Sequence, residues 1–247
     1  LVPLLPVFAR LTAPEDRGQL LQRIRQGVML SNASMLPLGA LMVALAGPIV
    51  ALVYERGAFN ANAASLVVGI LMAYGVGMPA YLSRDVLVRV FYALGDGNTP
   101  FRISMAGIGL NAGLDWLLVG CPTPDGLLLP QLNFQAPGLV LATVGVNVVS
   151  CLALLIALRK KLGALPIGAW AKDTGLLTFA ALVGGLLAWA LATAIAWPPH
   201  LIGILLQVLI CGGSGALSYG LIAGGLGVPE ARELGRTLGA KLPFLKN

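Results

Sequence analysis

Residues 174–229 read TGLLTFAALVGGLLAWALATAIAWPPHLIGILLQVLICGGSGALSYGLIAGGLGVP, with no Asp, Glu, Lys or Arg; only Trp197-Pro198-Pro199-His200 interrupts the apolar run. Each side of that interruption holds about 20 apolar residues or slightly more, the length an α-helix needs to cross a hydrocarbon core of roughly 30 Å. Adjacent prolines end one helix and open a tight turn. The stretch therefore reads as a membrane hairpin. A soluble domain would need charged surface on such a segment, and this one has none. The expected fold class is all-α, a polytopic integral membrane helical bundle.

The rest of the chain agrees. Hydrophobic residues make up 57% and charged residues 11% of the 247, whereas soluble domains carry about 25% charged residues; the mean hydropathy is +0.87. About six spans fit this length. We read them at 27–53, 63–83 with a helical extension towards Leu94, 102–119, 136–158, 173–196 and 201–227. Ahead of them, residues 13–26 read as an interfacial helix, with Leu20, Leu21 and Ile24 forming an apolar stripe between arginines. The expected organisation is thus 1–26, the end of a preceding transmembrane helix plus a cytoplasmic interfacial helix; 27–227, a six-helix lobe; and 228–247, a cytoplasmic tail. The opening Leu-Val-Pro-Leu-Leu-Pro has neither Met nor a basic leader, so the chain is expected to begin partway through a larger protein.

The net charge of +6 is a topological signal rather than a nucleic-acid footprint. With six spans, the basic clusters at Arg10–Arg25, Arg84–Arg102, Arg159–Lys172 and Arg232–Lys246 all fall on one side, so both ends are expected to be cytoplasmic. Cys121, Cys151 and Cys211 are odd in number and far apart, which suggests neither a disulfide framework nor a zinc site. Small residues recur every fourth position at Gly69, Ala73 and Gly77 and at Gly212, Ala216, Gly220 and Gly224, the pattern of close helix packing in lipid. Pro37, Pro48 and Pro79 lie inside spans and are expected to bend them.

Catalytic chemistry finds little material. His200, the one histidine, sits in the Pro-Pro turn, and no nucleophile triad, HExxH, P-loop or paired-carboxylate cluster can be assembled. The expectation is a protein that is not an enzyme. Asn32-Ala33-Ser34 matches a glycosylation pattern but lies inside a span. Polar groups at membrane depth are the better lead, because they are costly there and have partners or pathways. Asn111 and Asp115, spaced i,i+4, share a helix face. They could coordinate Na⁺, or Asp115 could carry a proton, with Thr143 of the next span facing them. The alternative is that Asp115, about one turn from the outer end, is a hydrated interface residue. Arg84, Asp85 and Arg89 form a second candidate: an anchor for an anionic headgroup, or a snorkelling arginine beside an intrahelical ion pair. Glu55-Arg56 is expected to end a helix at the outer surface, and Asn98-Thr99-Pro100 to cap and start the third span.

Four strings together resemble a known family. Tyr54-Glu55-Arg56-Gly57-Ala58-Phe59 is similar to the "ERGAF" signature of the MurJ/MviN family, and Arg89-Val90-Phe91-Tyr92-Ala93-Leu94 with Asp96 and Thr99-Pro100 to its "R-x-FYAL-x-D-x-x-TP". The opening residues 3–10 resemble its "LLPxLSRL", and residues 136–143 its "AGLALAT". The resemblance implies a lipid II flippase of the multidrug/oligosaccharidyl-lipid/polysaccharide exporter superfamily, with fourteen spans in two lobes working by alternating access in the bacterial plasma membrane. This chain would be its C-terminal half, spans nine to fourteen, with the arginine-lined headgroup cavity mostly in the absent lobe. The implied partners are lipid II, membrane lipids and that lobe, with no nucleic acid. The last two spans, around Trp197, would be the counterpart of a groove for the polyprenyl tail. The resemblance further implies an incomplete Na⁺ site at Asn111, Asp115 and Thr143 with the backbone carbonyl of Leu139, and no other cofactor. Alternatives are an exporter of drugs or other polyprenyl-linked saccharides, or a non-transporting scaffold for cell-wall assembly. A polyprenyl-phosphate transferase would need clustered acids or histidines, which this stretch lacks.

Overall fold

The computed structural model of the protein describes residues 8, 16–54, 61–119, 132–163, 165–228 and 230. Most of the opening motif, the start of the expected interfacial helix, Glu55-Arg56 and the tail from 231 lie outside them. The described residues form helices and no strand: α1 (Arg17–Ala44), α2 (Ala46–Tyr54), α3 (Ala61–Ala93), α4 (Asn98–Val119), α5 (Ala136–Leu162), α6 (Ile167–Ala194) and α7 (Leu201–Gly225). Five of these, α1, α3, α5, α6 and α7, are long and apolar enough to cross a membrane. The third expected span is present as α4, 22 residues long. Arg102, Asn111 and Asp115 dilute its apolar content, which keeps it out of that group. Leu217 and Leu221 on α7 are 70% and 77% exposed; such apolar surface suits lipid and not water.

The three intrahelical prolines act differently, and the i−4 carbonyl explains each. Proline has no N–H to donate and its ring crowds the carbonyl four residues earlier. For Pro48 that residue is Ala44, where α1 stops; Leu45 is a turn and α2 resumes at Ala46. The expected first span is therefore two helices. For Pro37 it is Ala33; α1 runs on unbroken, and the freed Ala33 carbonyl accepts the Tyr219 hydroxyl at 2.7 Å. For Pro79 it is Gly75, whose carbonyl lies against Gly39 of α1 so closely that a methyl group there would collide with it. The expected interfacial helix is not separate from the span after it: α1 is continuous from Arg17.

The chain forms two compact units, Leu1–Val28 with Gly77–Pro166, and Met29–Val76 with Ile167–Asn247. In the second unit α6 and α7 are the expected hairpin. They meet at Gly184 and Gly215, where an added Cβ would come within 2.5 Å and 2.6 Å of the partner's carbonyl oxygen. Leu177, Ala180 and Ala181 of α6, Tyr219 and Ala223 of α7 and Ala33 of α1 are buried together in one cluster. Asn32 is buried and donates to the Thr174 hydroxyl at 3.3 Å, so its side chain serves helix packing. In the turn, the Trp197 indole N–H reaches the Leu191 carbonyl at 3.4 Å and Gln207 donates to the Ala192 carbonyl at 3.1 Å.

In the first unit α4 packs on α5. Gly138 sits against the Leu118 carbonyl, Gly145 against Leu114, and Gly107 against Val146. The last carbonyls of α4 are satisfied by the chain entering α5: Leu132, Phe134 and Gln135 donate backbone N–H groups to Leu117, Leu118 and Val119.

Candidate functional site

The α3–α4 junction builds itself from its sequence. Gly95 takes φ 70°, and the Asp96 and Gly95 N–H groups return to the Phe91 and Tyr92 carbonyls, closing α3 with a left-handed cap. Asp96 then starts α4. One carboxylate oxygen accepts the Thr99 backbone N–H at 3.0 Å and the other accepts the Thr99 hydroxyl at 2.9 Å. The cap is thus Asp96, two residues ahead of the expected Asn98, because its spacing to Thr99 suits the N-cap bond. Lys161, at the end of α5, adds an ion pair at 2.7 Å. The Lys161 ammonium, with help from the Thr99 backbone and hydroxyl bonds, pulls the Asp96 carboxyl down to about 2 from an ordinary 3.8.

One turn further into α4, Arg84 of α3 donates to the Ser104 hydroxyl at 3.0 Å, while its Nε is buried with no partner among the described residues. Arg89 pairs with Asp85 at 2.6 Å, and both side chains are more than two-fifths exposed. The two arginines thus have separate roles: Arg89 is held along its own helix, and Arg84 reaches α4.

Asn111 and Asp115 do meet. The Asn111 amide N–H donates to Asp115 Oδ2 at 2.6 Å, and both side chains are half-buried. Asp115 Oδ1 is buried with no hydrogen-bond partner among the described residues. A buried acceptor left bare costs about 1–3 kcal/mol, and more when charged, so this oxygen suits a cation or another donor. Thr143 and Leu139 are also joined, but to each other: the Thr143 hydroxyl donates to the Leu139 carbonyl at 3.1 Å on an exposed face of α5. No hydrogen bond joins them to Asn111 or Asp115 among the described residues. The oxygens match a hard cation in type, with Asp115 Oδ1 the one that has no hydrogen-bond partner among the described residues. No cluster of three or more His, Cys, Asp or Glu side chains that could hold a metal occurs among the described residues.

The number, length and apolar character of the helices define a multi-pass α-helical membrane protein. More particularly, the chain belongs to the lipid II flippase MurJ family, whose sequence model matches residues 1–208. A protein from Synechocystis sp., described as "Probable lipid II flippase MurJ", is 49% identical over 189 residues, covering 76% of this chain and 33% of the relative. One of the same description from Rhizobium meliloti is 27% identical, covering 78% of this chain and 34% of its own. A solved structure titled "Lipid II flippase MurJ, inward closed conformation" superposes with a TM-score of 0.63 at 21% identity, over 90% of this chain and 42% of that one. It shows the fold to be the same. The matched part of the chain spans about a third of the length of these two curated relatives.

Proposed function

We propose that this chain is part of a flippase that carries lipid II, the undecaprenyl-diphosphate-linked peptidoglycan precursor, from the cytoplasmic to the outer leaflet of a bacterial plasma membrane. The observation that carries this reading is the 49% identity over 189 residues to a relative described as such a flippase. The chain would supply the C-terminal part, both of its ends cytoplasmic, and would act together with a preceding lobe of the same protein. Flipping requires no covalent step, and the family is described by transport rather than by a reaction. What it requires is a polar path for the headgroup, an apolar path for the tail, and two states whose balance can be shifted.

Within that scheme Asn111 and Asp115 are the groups suited to shift the balance. Asn111 fixes one carboxylate oxygen of Asp115 and leaves the other buried with no hydrogen-bond partner among the described residues. Asp115 and Asn111 would hold a Na⁺ ion at that oxygen, with Thr143 and the Leu139 carbonyl as further oxygens; the ion would supply charge neutralisation. Neutralising Asp115 removes the cost of a bare buried carboxylate, so the state in which it is neutralised gains in population. Arg84, whose buried Nε has no partner among the described residues, and Arg89 are the basic groups suited to an anionic headgroup.

The test is lipid II arrival at the outer leaflet in cells depleted of their own flippase, with the full-length protein and its Asp115→Asn variant. Arrival restored by the protein and lost in the variant at equal membrane abundance supports both parts. Restoration by both retains the flippase and makes Asp115 structural. A well-expressed protein that restores nothing refutes the reading.

A further inference from the structure

The start of α4 and the end of α5 enclose a cleft of about 510 Å³ in the first unit. Its rim carries Arg102 and Lys160, both exposed. Neither makes a hydrogen bond or ion pair with the described residues. Their neighbours are committed: Lys161 and Asp96 neutralise each other, and Asp96 is further held by Thr99. The acid that caps α4 therefore leaves this pair of cations uncompensated.

Below the rim the lining turns apolar. Ala106 follows Arg102 by four on α4 with Ile103 beside it, and Ile156 and Ala153 precede Lys160 by four and seven on α5. From Lys160 to Ala153 is about 10 Å of helix rise, enough to lay down part of a hydrocarbon chain. The alanines keep the trough open, where larger side chains would fill it. A cationic rim above an apolar trough at a span end has the polarity of a single amphiphile.

We infer that this cleft binds one anionic phospholipid, its phosphate held between Arg102 and Lys160 and one acyl chain lying along the trough. A free phosphate would make no use of the trough. The volume suits a glycerophosphate head with part of a chain and is too small for a peptide-bearing disaccharide headgroup. Basic clefts between helix ends on the positively charged side of a bundle attract anionic lipid by about fivefold in affinity per cation. The site is distinct from the Asn111–Asp115 pair and does not depend on the flipping reading.

The experiment takes the full-length protein in a zwitterionic detergent with phosphatidylglycerol or phosphatidylcholine of matched chains, and counts retained lipids by native mass spectrometry. The expected result is one phosphatidylglycerol retained in preference to phosphatidylcholine. That preference should fall about thirtyfold in the R102Q/K160Q double variant and persist in Arg159→Gln, which removes a neighbouring charge outside the cleft. Ala153→Leu should lower retention of both lipids by narrowing the trough while leaving the charges in place. A preference that survives R102Q/K160Q overturns the inference, as does one lost equally in Arg159→Gln or a retention unmoved by Ala153→Leu. Displacement of the bound lipid by equimolar undecaprenyl diphosphate would assign the cleft to a polyprenyl lipid and overturn it as well.

Discussion

Replacing Gly184 by Ala should open the α6–α7 seam. The added methyl carbon would stand 2.5 Å from the Gly215 carbonyl oxygen, against 3.4 Å for the near edge of ordinary van der Waals contact, so the backbones must part by up to about 0.9 Å. Neither side of that contact has a flexible group to move away. A radial gap of about 0.5–1 Å forfeits a quarter to a half of each dispersion well it touches, and in lipid such contacts are the main force joining helices. Overpacking of this kind costs about 1–3 kcal/mol; taking about 2 kcal/mol, the population of opened seam rises about 30-fold. Cys211 reports on it, being fully buried against Leu45 and Ala188. With Cys121 and Cys151 replaced by Ser, a maleimide should label Cys211 about 30-fold faster in Gly184→Ala than in the parent when opening limits access. Gly213→Ala is the control, since nothing lies within 4 Å of a methyl group there. Equal labelling of the two variants would refute the reasoning.

Other outcomes can be stated briefly. Tyr219→Phe removes the 2.7 Å bond to the Ala33 carbonyl and should cost about 0.6–1.5 kcal/mol, read as a lowered thermal midpoint in detergent; an unchanged midpoint would show the bond to be idle. The folded-state carboxyl of Asp96 lies at about 2 against 3.8, so its contribution is complete above about pH 4 and fades as pH falls towards 2. Melting curves in acid should show that loss in the parent and little of it in Asp96→Asn. Gly95→Ala forces a side chain onto a φ of 70° and should cost about 1 kcal/mol; chemical unfolding of the two proteins side by side would reveal whether it does.

Much of the helical plan was open to a reader of the sequence because lipid imposes one length on every span. The α6–α7 hairpin and the α3 extension to Ala93 follow from apolar runs and their interruptions. The division of the first span was harder, since Pro37 and Pro48 look alike in sequence. They differ in whether a distant hydroxyl reaches the carbonyl that each proline frees. Local spacing likewise announced Asn111–Asp115 and Asp85–Arg89, which are i,i+4 pairs on single helices. The bond from Arg84 to Ser104, the ion pair from Asp96 to Lys161, and the cleft at Arg102 and Lys160 were not legible in the same way. Each depends on how neighbouring helices slide past one another, and for α4 and α5 that register is set by close contacts at Gly107, Gly138 and Gly145. The cap at Asp96 is obscured for a smaller reason: Asn98 sits directly before Thr99-Pro100, and the carboxylate that binds Thr99 lies two residues earlier.

The Tyr219–Ala33 bond gives two positions 182 residues apart, 37 and 219, a shared fate. Restoring an amide at 37 would hand Ala33 a local partner and make the tyrosine hydroxyl a second claimant on the same oxygen, so the loss caused by Tyr219→Phe should shrink when Ala stands at 37. The two substitutions should therefore fail to add, and the sign of that non-additivity is fixed in advance. For anyone redesigning this bundle, position 219 cannot be scored by its own neighbourhood: its value is written at position 37, in a residue that never touches the hydroxyl.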